Sequence, residues 1–556
     1  MGRSVDPVTT EVVARHALAV AEEMGAVLIR AAYSPNIKER HDCSTAIFDA
    51  DGRVVAQAHH VPIHLGSMIG AIDYIKRRFG AGHIRPGDMF VANDPYNGGG
   101  THLPDINIVA PLFRDGRAVA FVACIAHHAD VGGMVPGSES AACESIFQEG
   151  LRLPAVRIVR EGEVCRDIVD VILLNSRTPD ERLGDLRAQL AANVAGLEGM
   201  AALFERYGTG TTAEALADYL DFTERRFAAA IRALPAGNYA AVDHLSGDAP
   251  DSPARVQLRL TVADASLRFD FAGSAPQLRS ARNVPHQALL ATVYTVAKAM
   301  LDPDVPANAG YFRTLVVEAP AGSIVGPVPP AAVGVRSASC GVVGDVVANV
   351  LSQAMPERAV AASGPHHLLT WSGIDHRDGG YFVHYETVAG AMGAHAFRDG
   401  HDAVRTFASG AANLPIEALE HAYPLRVERY ALRDGSDGVG TYRGGRGLVR
   451  DYRVLGRDVT VSLSAERQHE PARGMRGGGD GRTGRFVLDP GTPGEREVGS
   501  GTRELPMPAG SLLRVETPGG AGFGPPGSRD PALTARDLRE GRVDAATAGE
   551  VFGWRR

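Results

Sequence analysis

The sequence predicts an α+β fold: a helix-rich N-terminal half carrying a metal-binding β-hairpin, and a β-rich, glycine-laden C-terminal half. Three observations predict it. Apolar residues recur at helical spacing over residues 7–32, 182–207 and 213–234. At Gly237 the pattern changes to the two-residue alternation of antiparallel strands, over 239–242 and 256–271. Beyond Tyr385, glycines punctuate the chain, from Gly390 to Pro518-Gly519-Gly520. The 556 residues exceed one ordinary core, and three parts are expected: 1–235, helix-rich with the metal site; 236–384, mixed; 385–556, β-rich.

In the first helix Val12, Val13, Ala17, Val20, Met24 and Leu28 share a face, with Thr9 or Thr10 available as N-cap. A polar cluster, Glu39-Arg40-His41-Asp42-Cys43-Ser44, precedes a strand at 45–48, which turns at Asp51-Gly52 into 53–56. His59, His60 and His64 follow, His64 being the candidate site residue, then a helix over 65–79. The apolar runs 107–113 and 119–126 flank Arg114-Asp115-Gly116-Arg117, and Asp-Gly between such runs marks a hairpin. In ideal register Asp105 faces Ala126, Pro104 faces His127 and Leu103 faces His128. His102, Asp105, His127, His128 and Asp130 then come within reach of one point. His128 shares a face with Asp105 in that register, whereas a single bulge presents His127.

Further on, Gln148 and Glu149 stand at the edge of a strand at 154–159, and helices are expected at 167–174, up to Met300 after Pro285, and at 341–355. Most of the late glycines read as hairpin turns. Gly479–Gly484 has Gly-x-Gly-x-x-Gly spacing, but the 485–488 stretch after it reads as a strand, not the helix a dinucleotide site needs. Neither a phosphate-binding Gly-Lys-Ser/Thr loop nor a Gly-x-Ser-x-Gly elbow occurs.

The formal charge of −8, with 57 basic and 65 acidic residues, argues against nucleic acid or a membrane surface as partner. Cysteines 43, 124, 143, 165 and 340 form no Cys-x-x-Cys pair, which fits a reducing compartment. Without a secretory pattern in Met1–Asp6 or an 18-residue apolar run, the expected location is the cytoplasm.

Two imidazoles and a carboxylate beside glycines suit a divalent cation such as zinc, manganese or iron. The other reading is that the histidines cap strand ends and bond loop carbonyls.

Several stretches together resemble the hydantoinase B/oxoprolinase family nearly end to end. They are Asn93-Asp94-Pro95-Tyr96, Gly99-Gly100-Thr101-His102-Leu103-Pro104-Asp105, His127-His128-Ala129-Asp130-Val131-Gly132-Gly133, Gln148-Glu149-Gly150 and Tyr442-Arg443-Gly444-Gly445. The resemblance implies that His102, Asp105 and one of the paired histidines, His127 before His128, hold a divalent metal. It also implies a hydantoinase A type partner that binds ATP and phosphorylates the substrate's carbonyl oxygen, hence a hetero-oligomer working on a cyclic amide or ureide. Asp42, Glu149 and Asp130 are the candidate general bases, and Asn93, Asp94 and His64 the candidate substrate-binding groups. A sister branch consists of ketone carboxylases, and a scaffold for the ATP-binding subunit is a further alternative. Departures from the family pattern, Asp42-Cys43-Ser44 and Gly334-Val335-Arg336-Ser337-Ala338-Ser339, leave the substrate open.

Overall fold

In the computed structural model, which describes residues 5–97, 100–249 and 251–555, Asp6 rather than Thr9 or Thr10 caps the first helix, α1 (Pro7–Ala31). Its carboxylate accepts from the Val8 and Thr9 amides, and Pro7 occupies the first helical position, where no amide donor is needed. Gly98 and Gly99 of the motif before Thr101 lie outside the described residues, as do residues 1–4 of the N-terminal stretch.

After the short α2 (Pro35–Lys38), β1 (Cys43–Asp49) turns into β2 (Val54–Gln57). The helix expected over 65–79 is two helices, α3 (Ile63–Met68) and α4 (Ala71–Phe79). Gly70, at φ +79°, separates them, a conformation that disrupts helical continuation. Then come β3 (Met89–Ala92), β4 (Asp105–Arg114), β5 (Arg117–His127), β6 (Val156–Arg160) and β7 (Glu163–Val164). They form one antiparallel sheet in the order β2-β1-β5-β4-β3-β6-β7. The N-terminal half therefore holds more strand than helical periodicity implied, because β3 and β7 are too short to show an alternation.

Side chains alternate cleanly across this sheet. Ile47, Ile106, Ile108, Val122 and Cys124 join one core with α1, α6 (Pro179–Tyr207) and α7 (Thr209–Arg232), which follow α5 (Arg166–Leu174). Phe48, Phe90, Val109, Phe121 and Ile125 face the other way onto Ile72 and Ile75 of α4. The hairpin that carries the candidate site is thus the covered centre of a two-sided core.

The run 256–271 breaks at Asp264 and Ala265, both with positive φ, giving β9 and β10 in a sheet of β8 (Gly237–Leu245), β9 (Ala254–Ala263), β10 (Ser266–Asp270) and β11 (Leu315–Glu318). Its β10–β11 pair is parallel. Helices α8 (His286–Leu301) and α10 (Arg336–Ala354), either side of the short α9 (Ala309–Phe312), cover it. Helix α10 starts at Arg336, before the expected residue 341, because its first turn is polar yet buried: Arg336, Ser337 and Ser339 are all enclosed.

The last third supplies β12 (His367–Ile374), β13 (Tyr381–Val388), β14 (Leu425–Leu432), β15 (Leu448–Val454), β16 (Arg457–Ser464), β17 (Arg485–Leu488), β18 (Arg496–Val498), β19 (Leu505–Met507) and β20 (Leu512–Glu516). They form two sheets, β13-β12-β16-β19 and β14-β15-β20-β17-β18, around Trp371, Tyr452, Phe486 and Leu513. Some glycines here serve backbone packing rather than hairpin turns. A Cβ at Gly444 or Gly519 would stand 1.9 or 1.8 Å from the carbonyl oxygen of Gly520 or Ser436. Among the described residues no helix is long and apolar enough to cross a membrane.

One core residue makes stability sensitive to acid. His367, fully buried against Phe486, has no hydrogen-bond partner on either ring nitrogen among the described residues, and burial lowers its pKa to about 3. Its folded pKa lies below the unfolded value, so the unfolded chain takes up a proton first and stability is lost as pH falls below about 6.5. At roughly 1.4 kcal/mol per pH unit, the loss at pH 5 is about 2 kcal/mol. His367→Gln should therefore narrow the gap in chemical-denaturation stability between pH 7 and pH 5 by about that amount; an unchanged gap would refute the assignment.

Candidate metal centre

The hairpin turn places Arg114 opposite Arg117, as ideal register requires, but the pairing slips by one residue between Leu112 and Phe113. Asp105 consequently faces His127 instead of Ala126. With this bulge it is His127 that comes up to the other two: side-chain atoms of His102, Asp105 and His127 that could hold a metal, all buried, lie within 4.8 Å of one another. His128 turns away, with Nε2 3.0 Å from Gln189 Oε1 on α6, and burial lowers its pKa to about 4.

Each group is held from behind. Asp105 Oδ2 accepts from Thr101 Oγ1 at 2.9 Å and from Arg336 Nη2 at 2.7 Å, which leaves Oδ1 towards the histidines. His102 Nδ1 lies 3.0 Å from the Gly334 carbonyl, so Nδ1 carries the proton and Nε2 offers its lone pair. His127 stacks on Tyr385 at 4.4 Å between ring centres, and its Nδ1 lies 3.1 Å from the Asn36 amide. Arg40 in turn orients Asn36.

A carboxylate that the sequence patterns do not single out completes the cluster. Glu139 Oε1 lies 2.8 Å from His102 Nδ1 and 3.2 Å from His127 Nε2. Its only advance signal is a polar Ser-Glu-Ser triplet after the hairpin. Burial and Arg336 push the His102 pKa down, but Asp105 and Glu139 outweigh them and raise it to about 9. Burial alone would raise the Asp105 carboxyl, yet His102 and Arg336 hold it well below the usual range. Glu139, raised by burial and lowered more strongly by His102 and His127, stands at about 2.

His64 and Asp42 border the same cluster. His64 Nε2 lies 3.5 Å from Asp105 Oδ1 and 3.6 Å from Asp42 Oδ1, while its Nδ1 meets Ser44 Oγ. Four other candidates sit elsewhere in the local framework. Asp130 clamps the following loop, accepting from the Gly132, Gly137 and Arg177 amides and pairing with the Arg177 guanidinium. Asn93 pins Leu103, Leu151 and Leu153 by backbone bonds, and Asp94 pairs with Arg152. Glu149 Oε1 accepts from the Val333 and Gly334 amides, and burial raises its pKa to about 7. Its hydrogen bonds link it to the centre through Gly334, whose carbonyl meets His102.

The donor set fits a divalent metal. His102 Nε2 and Asp105 Oδ1 are buried and 3.2 Å apart, yet among the described residues neither has a hydrogen-bond partner, and Glu139 Oε2 is equally unpartnered there. Buried lone pairs without donors are costly unless a cation or proton meets them.

Fold and site together define an α+β protein with a buried histidine–carboxylate centre between its N-terminal sheet and its C-terminal strands. The chain belongs to the hydantoinase B/oxoprolinase family, whose sequence profile matches residues 6–526. It is 35% identical over 550 residues to an uncharacterized protein of Methanocaldococcus jannaschii, covering 98% of this chain and 95% of that one. It is 31% identical to a Pseudomonas protein described as the B-type subunit of a D-/L-hydantoinase, covering 99% and 95%. With 5-oxoprolinase 1 of Arabidopsis thaliana it shares 33% identity over 91% of its length but spans only 41% of that protein. Among solved structures, the ATP-dependent caprolactamase of Pseudomonas jessenii superposes with a TM-score of 0.91 at 27% identity, covering 99% and 96% of the two chains. Acetone carboxylase has the same fold, with a TM-score of 0.89 at 20% identity over 99% of this chain and 80% of that one.

Proposed function

We propose that this chain is the B-type subunit of an ATP-dependent cyclic amide or ureide hydrolase, and that it completes ring opening of a substrate activated by a hydantoinase A type ATP-binding partner. The observation that carries this reading is the cluster of His102, Asp105 and His127, buried in a chain similar to the B-type subunit of a hydantoinase and to a caprolactamase. An unstrained lactam is a poor electrophile, and phosphorylation of its oxygen supplies a leaving group. A zinc, manganese or iron ion held by His102, Asp105 and His127 would supply Lewis acidity and hydroxide near neutral pH.

The chain's own residues do the rest. Arg336 and Thr101 fix Asp105, and the Gly334 carbonyl fixes the His102 tautomer. Of the proposed bases, Asp42, which borders the cluster beside His64, would take a proton from attacking water, and Asp130 and Glu149 would act through the loops they hold. His64 would orient the substrate's polar edge. Asn93 and Asp94 would contribute to substrate binding by shaping the loop ahead of Thr101.

The test is reconstitution of the full chain with its ATP-binding partner on a panel of cyclic amides and ureides. ATP-dependent ring opening, lost in His102→Ala without dissociation of the complex, is the expected result. Incorporation of labelled bicarbonate without ring opening would make the pair a carboxylase, and full activity in His102→Ala would leave this chain a scaffold.

A further inference from the structure

We propose that Glu139 is a positioning residue of the metal centre, a single carboxylate that stands behind the His102 imidazole and orients its Nε2 towards Asp105. This rests on the metal-centre reading above, and goes beyond it to a residue outside the three-residue cluster.

The placement of Glu139 is built, not incidental. It sits on the loop after the hairpin, and that loop is pinned on both sides. Ahead of it, Asp130 accepts from the Gly137 amide at 2.9 Å, and the Ser138 hydroxyl donates to the Gly132 carbonyl at 2.7 Å. The backbone here takes two consecutive positive φ values, +80° at Gly137 and +60° at Ser138. A Cβ at Gly137 would stand 2.1 Å from Thr370 Cγ2, so the loop lies directly against β12. Behind it, the Ala141 amide donates to Ser464 Oγ on β16 at 3.1 Å. A non-glycine residue in the left-handed region persists only where its surroundings fix it. Both C-terminal strands thus press Glu139 into the N-terminal centre.

Its contacts define the role. One oxygen, Oε1, bridges His102 Nδ1 at 2.8 Å and His127 Nε2 at 3.2 Å. On His102 this is the ring nitrogen opposite the one that approaches Asp105, so a carboxylate there favours a proton on Nδ1 and keeps the Nε2 lone pair facing Asp105 Oδ1. Carboxylates behind ligating histidines fix ring orientation and raise donor strength in this way. The same oxygen also lies 3.2 Å from His127 Nε2, the nitrogen left free by the Asn36 amide at Nδ1, so Glu139 stands behind His102 but on the ligating side of His127. The second oxygen, Oε2, is buried with no hydrogen-bond partner among the described residues. Glu139 is 3% exposed and reaches no bulk water that could satisfy it. A role beside a cation accounts for it, because the cation's field stabilises the extra negative charge.

The experiment titrates cobalt(II) into the metal-free full chain and into Glu139→Gln, an isosteric change that removes the charge. Affinity and the cobalt absorption spectrum are read together, with thermal unfolding of both metal-free forms as the control. The expected result is a cobalt dissociation constant about 10–100-fold weaker in the variant, with a changed spectrum and an unfolding temperature no lower than wild type. Equal affinity and an identical spectrum would overturn the role of Glu139 while leaving the metal centre standing. Should the wild-type chain take up no cobalt, zinc, manganese or iron, the metal centre and this role both fall.

Discussion

Asp105→Asn should empty the metal centre, abolish ATP-dependent turnover of the reconstituted pair, and cost the metal-free chain about 3–5 kcal/mol of stability. The two losses have separate causes. Metal and turnover are lost because Oδ1 is the only carboxylate oxygen of the three-residue cluster that faces the histidines. Stability is lost because Oδ2 is the ionic partner of Arg336, 2.7 Å away, and both side chains are buried. The asparagine still offers an oxygen to Thr101, but leaves the buried Arg336 guanidinium without its carboxylate partner. Adding Arg336→Met should recover most of the stability and none of the metal, since a buried pair replaced by apolar groups is often neutral. Metal analysis and chemical denaturation of the single and double variants measure the two effects independently. A single variant as stable as wild type would mean that Arg336 finds another partner, and one that keeps its metal would remove Asp105 from the ligand set.

The sequence made the hairpin legible because its signals are local: Asp115-Gly116 at the turn and an alternating apolar run on each arm. It left His127 and His128 undecided because the choice hangs on one bulge near Ala118 and Val119, and either histidine fits without altering the apolar pattern. Helix α10 reads five residues short for a different reason. Arg336, Ser337 and Ser339 look like a solvated loop until the fold buries them. Groups that act on the centre from far along the chain carry no local mark at all. Tyr385 meets His127 across more than 250 residues, Asn36 and Arg40 reach it from the other side of the sequence, and Glu139 reaches it through a loop whose path depends on Thr370 and Ser464. Helix and strand periods are written in neighbours, but a site assembled between two sheets is written in tertiary packing.

The C-terminal strands that press on this centre depend on a buried ion pair, and Glu386→Leu should destabilise the chain by about 3–5 kcal/mol. Glu386 on β13 and Arg450 on β15 belong to different sheets and meet at 2.6 Å with neither side chain more than 1% exposed. Tyr452 donates its hydroxyl to the other oxygen at 2.7 Å, and the Arg450 guanidinium lies 4.9 Å from the Tyr430 ring centre and 5.0 Å from that of Tyr452. Burial raises the Glu386 carboxyl, but Arg450 and His384 overcome it and hold its pKa below the usual range. A folded pKa below the unfolded value means the contribution is present above about pH 4.5 and fades as pH falls further. Leucine in place of Glu386 keeps the volume but leaves Arg450 charged and unpaired, whereas Glu386→Leu with Arg450→Met should return close to wild-type stability. The loss should also reach the metal. Tyr385, the residue before Glu386, stacks on His127, and Thr387, the residue after it, accepts from Arg40 at 2.6 Å. Loosening β13 at Glu386 therefore loosens both supports of the His127 ring. Metal affinity should fall in the single variant and recover in the double. If stability falls while affinity holds, the C-terminal sheets cover the centre without positioning it.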